Sequence, residues 1–181
     1  MATAKPITAD EFFRLPRDYR CELFQGVVRE KRPARSLRGR TVGRLLRALL
    51  EQDVEGRIGE VRSGETAFRL DRGTVAEHAA DLAVLRGDDA DKRVAAPVLV
   101  IDVAVWDDHP GIDDAAARYL AAGVGEIWWV QPLDNVVDIV RRDGTTARLG
   151  RHDTLESPTL PGFALPLEAL FGEAGWDVSE G

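Results

Sequence analysis

The sequence predicts one α/β domain, on three observations. Runs rich in Val, Ile and Leu stand at residues 81–85 and 97–105, bounded by clusters of Gly, Asp and Pro as sheet-core strands are. Helical segments, one amphipathic and one alanine-rich, lie on either side of them at 36–52 and 112–122. A chain of 181 residues, 44% hydrophobic and 30% charged, can bury one real core, which excludes disordered, collagenous and disulfide-stapled classes. Residues 1–171 are therefore expected to form a single domain and 172–181 a frayed tail.

The elements follow in order. Thr8-Ala9-Asp10-Glu11 has the form of a capping box, in which the Thr8 hydroxyl and the Glu11 carboxylate satisfy free amides at a helix start; Pro16 closes that helix. Residues 21–24 and 27–31 flank Gln25-Gly26 and read as a hairpin about a glycine turn. In 36–52, Val42, Leu45, Leu46, Leu49 and Leu50 recur at helical spacing, while Arg40, Arg44 and Arg47 fall on another face. Extended runs at 66–70, 81–85 and 97–105 come next, the last two reading as buried on both faces. The helix at 112–122 has a glycine stop at Gly123, and 126–131 and 135–141 are strands joined through Pro132-Leu133-Asp134. The piece at 158–171 holds proline turns and a short apolar helix, expected to pack on the sheet edge. There is no internal repeat.

Composition narrows the function classes. The longest apolar run, around 97–106, contains Asp102 and falls short of the ~20 residues that span a bilayer, so a membrane protein is not expected. A lone cysteine, Cys21, and an N-terminus without an apolar core region predict a cytoplasmic protein. The net charge of −7 argues against indiscriminate polyanion binding. That charge is segregated, however. Arg29 to Arg47 carries eight cations against Glu30 alone, a local +7, and the rest of the chain carries −14. Such a segment either steers a phosphate-bearing ligand to one face, with Arg38, Arg40 and Arg44 as its contacts, or is a solvated helix face with acidic partners elsewhere.

Two carboxylates carry the chemistry. Asp81 opens a strand-like run, and Asp102 sits inside Val98-Leu99-Val100-Ile101-Asp102-Val103-Ala104-Val105. An ionised group among β-branched residues costs several kcal/mol unless it is paired or binds metal. Adjacent strands would bring both within reach of one divalent cation, and Mg²⁺ or Mn²⁺ prefers such oxygen donors. The other reading is a buried aspartate bonded to Arg118, Arg141 or backbone amides.

At this point the chain resembles the Uma-two family of restriction endonucleases, of the PD-(D/E)XK nuclease superfamily. The residues that carry the resemblance are Thr8-Ala9-Asp10-Glu11-Phe12, Cys21-Glu22-Leu23-Phe24-Gln25-Gly26, Val42-Gly43-Arg44-Leu45-Leu46, Ala80-Asp81-Leu82 and Pro97-Val98-Leu99-Val100-Ile101-Asp102-Val103. Downstream they are Tyr119-Leu120-Ala121-Ala122-Gly123-Val124, Glu126-Ile127-Trp128-Trp129-Val130 and Ser157-Pro158-Thr159-Leu160-Pro161-Gly162-Phe163. The resemblance implies a restriction-endonuclease-like core with a mixed central sheet flanked by helices. It implies catalysis of DNA hydrolysis with Mg²⁺ or Mn²⁺ held by Asp81 and Asp102, a helper acid at Glu22, and a homodimer.

The chain departs from that pattern at the cations. The resemblance places the catalytic lysine four residues before Tyr119, which is Ala115, and the superfamily's other location for it is Ala104. Asp102 is a shortened form of the usual glutamate, Ala80 replaces a proline, and Arg38 stands where a histidine is often found. Endonuclease activity is therefore expected to be weak or absent. Arg118 and Lys92 are the candidates for a migrated cation. Two alternatives stand beside this reading: a non-catalytic nucleic-acid-binding pseudo-nuclease, and a fold repurposed for a small molecule bound near Trp106, His109 and Asp102. His78 and His109 read as rim or loop residues, and no histidine pairs at zinc-ligand spacing. Trp106, Trp128 and Trp129 are aromatic enough to stack a base, or else belong to the core.

Overall fold

Among the described residues the chain forms ten strands, and two helices of useful length cover them. The structure, a computed structural model, describes residues 7–8, 11–12, 14, 21–24, 27–30, 36–69, 77–86, 96–105 and 112–172. In chain order the elements are β1 (Cys21–Phe24), β2 (Val27–Glu30), α1 (Ser36–Glu51), α2 (Val54–Arg57), β3 (Val61–Arg69), β4 (Glu77–Val84) and β5 (Leu99–Val103). These lead into α3 (Ile112–Ala121), β6 (Glu126–Gln131), β7 (Val136–Arg141), β8 (Thr146–Gly150), β9 (Thr154–Glu156), β10 (Ala164–Pro166) and α4 (Leu167–Phe171).

Eight strands form one sheet in the order β2-β1-β4-β5-β6-β7-β8, with β3 paired to β4. The sheet is mixed because β5 and β6 run parallel while the other pairs are antiparallel. Parallel neighbours need a crossover, and α3 supplies it, packing back onto the sheet. The predicted glycine stop ends this helix: Gly123 adopts φ 95°, its N–H donates to the Leu120 carbonyl and the Val124 N–H donates to the Tyr119 carbonyl. At the other end of the chain, the capping box is present. The Thr8 N–H donates to Glu11 Oε2 at 2.7 Å and the Glu11 N–H to Thr8 Oγ1 at 3.2 Å.

Strand β4 is the hinge of the architecture. Along one edge it pairs with β3, past a bulge between Ser63 and Thr66. Along the other it pairs first with β1, at Leu23↔Glu77, and then with β5, from Leu82↔Ile101 to Val84↔Leu99. The sheet thus forks between Glu77 and Leu82, where the sequence places Asp81.

The core lies on both faces of the sheet. Leu45, Ala48 and Leu49 of α1 pack with Leu82, Val84, Ile101 and Trp128 on one face; Ala115, Ala116 and Tyr119 of α3 pack with Ala83, Val100 and Ile127 on the other. Fully burying a leucine such as Leu45 or Leu49 contributes about 1.5–3 kcal/mol. The C-terminal piece differs from expectation. It adds the two-stranded β9–β10 ribbon, and Leu155, Phe163, Leu165, Leu170 and Phe171 join the α1-side core rather than a sheet edge. The physical reason is that five large apolar side chains need a face, and an edge strand offers only backbone. Strand β8, which the sequence reading left unassigned, pairs with β7 beyond the turn at Asp143 and Gly144. Among the described residues no helix is long and apolar enough to cross a membrane.

Candidate functional site

Asp81 and Asp102 meet where the β4–β5 ladder ends. The register runs from Val84↔Leu99 to Leu82↔Ile101, and its next step would set these two aspartates opposite one another. The alternation of faces breaks there: Ala80 packs on the α3 side and Leu82, two residues on, packs on the α1 side. In place of regular ladder bonds, side chains take the backbone amides. The Val103 N–H donates to Asp81 Oδ2 at 2.8 Å, and the Asp81 N–H donates to Asp102 Oδ1 at 3.3 Å. Both carboxylates are buried, at 6% and 5% exposure.

A helix from each face reaches this pair. From α1 comes Arg38, three residues before Thr41 and seven before Leu45, hence on the same inward face. Its Nε donates to Asp81 Oδ1 at 3.0 Å and to Oδ2 at 3.2 Å, and its Nη2 lies 2.8 Å from Oδ1. From α3 comes Tyr119, fully buried, whose hydroxyl donates to Asp102 Oδ2 at 3.0 Å. Burial pushes the Asp81 carboxyl above its ordinary value and the Asp102 carboxylate adds to that, while Arg38 and the Val103 amide pull the other way.

The other predicted site residues are scattered. Ala115, where the resemblance places the lysine, is fully buried one turn before Tyr119 within the apolar α3-side core, and Ala104 packs against that core from a half-buried position. Glu22 lies on β1 opposite Arg29 of β2; its side chain is outside the described residues. Arg38 departs from its expected place on a phosphate-contacting stripe, because helical spacing turns it toward the sheet. Arg40 is exposed, whereas Arg44 is half-buried and donates through Nη1 to the Leu170 carbonyl at 2.8 Å. Arg118 precedes Tyr119 on α3 and is half-buried. The side chains of His78, Lys92, Trp106 and His109 lie outside the described residues, and with them the expected small-molecule pocket. Trp128 and Trp129 are buried; Trp128 packs on Phe163 with ring centroids 5.6 Å apart.

A third buried carboxylate, Glu126, escaped the sequence reading. Glu126, with no exposure, accepts from Trp128 Nε1 at 2.6 Å, Ser157 Oγ at 2.7 Å and Thr159 Oγ1 at 2.9 Å, and Arg141 Nε lies 3.5 Å from it. The same argument used for Asp102, an acid in an apolar strand that needs partners, applies to Glu126 in Glu126-Ile127-Trp128-Trp129-Val130. This cluster starts β6 while Asp102 lies near the end of the parallel β5, so the two sites occupy opposite ends of the sheet. Among the described residues, the side-chain hydrogen bonds to Glu126 hold the Ser157–Thr159 segment and the Trp128 indole to the start of β6, which is a structural task.

Whether Asp81 and Asp102 suit Mg²⁺ or Mn²⁺ is decided by Arg38. Their oxygens are the hard donors such ions prefer. Yet both oxygens of Asp81 are already engaged by a guanidinium and an amide, and an added divalent ion would stand beside a buried like charge. Among the described residues no three His, Cys, Asp or Glu side chains group as metal ligands would. As arranged, the described residues do not fit a divalent ion.

Comparison with known proteins agrees with this architecture. The crystal structure of a putative nuclease of the DUF820 family from Anabaena variabilis ATCC 29413 matches with a TM-score of 0.76, over 92% of this chain and 98% of that one. At 17% identity the likeness is one of fold. A search of the curated proteins gives no match. The family model described as "Putative restriction endonuclease", Uma2, matches residues 9–168.

Proposed function

Since the chain belongs to the Uma2 family of restriction-endonuclease-like proteins, we propose that its ligand is DNA and that it is a pseudo-nuclease, with at most residual phosphodiester hydrolysis. The observation that carries this reading is Ala115, a fully buried methyl group where the resemblance places the catalytic lysine. Hydrolysis of a phosphodiester needs a positioned water and a cation at the developing charge. Removing one preorganised donor of that kind costs about 10²–10³ in rate. Asp81 and Asp102, the residues that the resemblance makes catalytic, here accept backbone amides, a guanidinium and a phenol hydroxyl. Arg38 is no substitute for the lysine, since it stays protonated at all ordinary pH and is tied to Asp81.

Contact with the DNA backbone falls, in this reading, to Arg40 and to other cations of the basic segment. The homodimer implied by the resemblance belongs to the same proposal, with sedimentation as its measurement. The deciding experiment compares nicking of supercoiled plasmid with Mn²⁺ at low salt by the natural chain, Asp102→Ala and Ala115→Lys, alongside a salt titration of DNA binding. The natural chain should bind with an affinity that falls steeply with salt, by a log–log slope of about −0.9 per phosphate contacted, and should leave the plasmid intact. Nicking by the natural chain that Asp102→Ala abolishes would restore the enzyme reading, and salt-independent or absent DNA binding would remove nucleic acid as the ligand.

A further inference from the structure

We propose that Arg38 is a built-in cation that takes the place of a divalent metal ion, offsetting one of the two negative charges of the Asp81–Asp102 pair and excluding Mg²⁺ and Mn²⁺ from it. This goes beyond the pseudo-nuclease reading, because a protein that fails to cut DNA can still hold a metal.

Occupancy is the first argument. A carboxylate offers about four lone-pair positions. At Asp81, Oδ1 accepts from Arg38 Nε at 3.0 Å with Nη2 2.8 Å away, and Oδ2 accepts from the Val103 amide at 2.8 Å with Nε at 3.2 Å. At Asp102, Oδ1 accepts from the Asp81 amide and Oδ2 from the Tyr119 hydroxyl. A metal ion entering here must displace donors that are themselves backbone groups or buried side chains.

Charge is the second. A divalent ion between two carboxylates is neutral as a group, whereas the same ion beside Arg38 leaves a surplus positive charge in a site screened poorly by water. Magnesium makes that worse, because it demands near-octahedral geometry and sheds its own waters reluctantly.

The third argument is that Arg38 is fixed. It is 9% exposed, it shares the inward face of α1 with Thr41, Leu45, Ala48 and Leu49, and those residues are seated in the core. Swinging the guanidinium out would strand a buried carboxylate beside a second one. The cation is therefore part of the fold rather than a surface arm that a metal could push aside.

The test is a Mn²⁺ titration of the full chain, followed by the loss of the free-ion electron paramagnetic resonance signal, on the natural chain, Arg38→Gln, Arg38→His, Asp81→Asn and Arg38→Gln/Asp81→Asn. The natural chain should bind Mn²⁺ no more tightly than Asp81→Asn does. Arg38→Gln should bind roughly tenfold tighter or more, since the like charge is gone, Arg38→His should do so only at a pH where its imidazole is neutral, and the gain should vanish in Arg38→Gln/Asp81→Asn. A single Mn²⁺ site in the natural chain that Asp81→Asn removes overturns the proposal, as does a folded Arg38→Gln with no gain. Should the Arg38 variants fail to fold, melting of the natural chain decides alone: a midpoint indifferent to Mn²⁺ and to EDTA supports the proposal, and a Mn²⁺-dependent rise that Asp81→Asn removes overturns it. Metal binding through Asp81 without plasmid nicking would overturn the exclusion and leave the pseudo-nuclease reading intact; nicking by the natural chain would overturn that reading instead.

Discussion

Replacing Arg38 by methionine isolates the ion pair from the rest of α1, because methionine keeps a long apolar stem on the inward face and removes only the guanidinium. What remains is a buried Asp81 whose named donor is the Val103 amide, facing Asp102 across the strand ends. Removing one partner of a buried pair costs about 3–5 kcal/mol. Here the lower end applies, because burial and Asp102 already push Asp81 upward, and the orphaned carboxyl escapes part of the penalty by taking up a proton. Each pKa unit between its value and the working pH costs about 1.4 kcal/mol. About 3 kcal/mol is thus expected for Arg38→Met at pH 7, which in a chain of this size lowers Tm by about 6–12 °C. The pair Arg38→Met/Asp81→Asn should fare better than the single change, since an asparagine oxygen still accepts the Val103 amide and its NH₂ can face Asp102. A coupling of about 2 kcal/mol is expected from the four-corner cycle measured by urea unfolding. If the two single changes add to within about 0.5 kcal/mol, the guanidinium is not on Asp81 in solution, and Arg38 belongs to the solvent stripe after all.

Two further outcomes follow from the same buried acids. Glu126→Ala strands the Trp128 indole N–H, the Ser157 and Thr159 hydroxyls and Arg141, so calorimetry should record a loss of about 3–5 kcal/mol, and a loss below about 1 kcal/mol would mean that water replaces the carboxylate. The pH dependence has a definite sign: Asp81 sits above its ordinary 3.8, so the folded chain binds that proton more tightly than the unfolded chain does. Its contribution to stability is complete below 3.8 and is lost as pH rises through the raised value. Urea midpoints of the natural chain should therefore fall relative to those of Asp81→Asn as pH rises above 3.8 and through the raised value, and parallel profiles would contradict the shift.

Much of this fold is legible in the residues because its signals are local. Thr8 and Glu11 announce their own reciprocal bonds, Gly123 ends α3 where only a glycine relieves a φ of 95°, and the spacing of Leu45 and Leu49 fixes the inward face of α1. The demand that Asp102 find a partner is likewise readable from its apolar neighbours, although Arg141, one of the expected partners, is paired with Glu126 instead. What stays hidden is long-range. Arg38 lies in a run of cations and reads as surface, yet it stands 43 residues from Asp81 in sequence and beside it in space. The helical period that puts Leu45 inside puts Arg38 inside too, so the signal exists and is masked by the neighbouring Arg35, Arg40 and Arg44. Ser157 and Thr159 carry no sign of their task, because a hydroxyl in a proline-rich turn is equally at home in water. The C-terminal residues, short of any periodic run, reveal their face only once α1 and β6 are in place.

The presence of Asp81 and Asp102 is itself ambiguous about catalysis, and the fork in β4 explains why. Where β4 leaves β1 for β5, regular ladder bonds lapse and backbone amides would be left without acceptors. The two carboxylates take the amides of Val103 and Asp81 across the gap, a task an alanine or leucine cannot perform. An unsatisfied buried amide costs about 1–3 kcal/mol, so two such amides suffice to favour acidic side chains at both positions without any reaction to catalyse. A lysine at 115 has no comparable structural duty, since the fully buried position it would fill is already closed by a methyl group against the core. On the pseudo-nuclease reading proposed above, in which cleavage is not required, the lysine is the residue that can be replaced without harm to the fold, while the acids persist and need a cation. Arg38, already on the inward face of α1, is the cation this chain supplies.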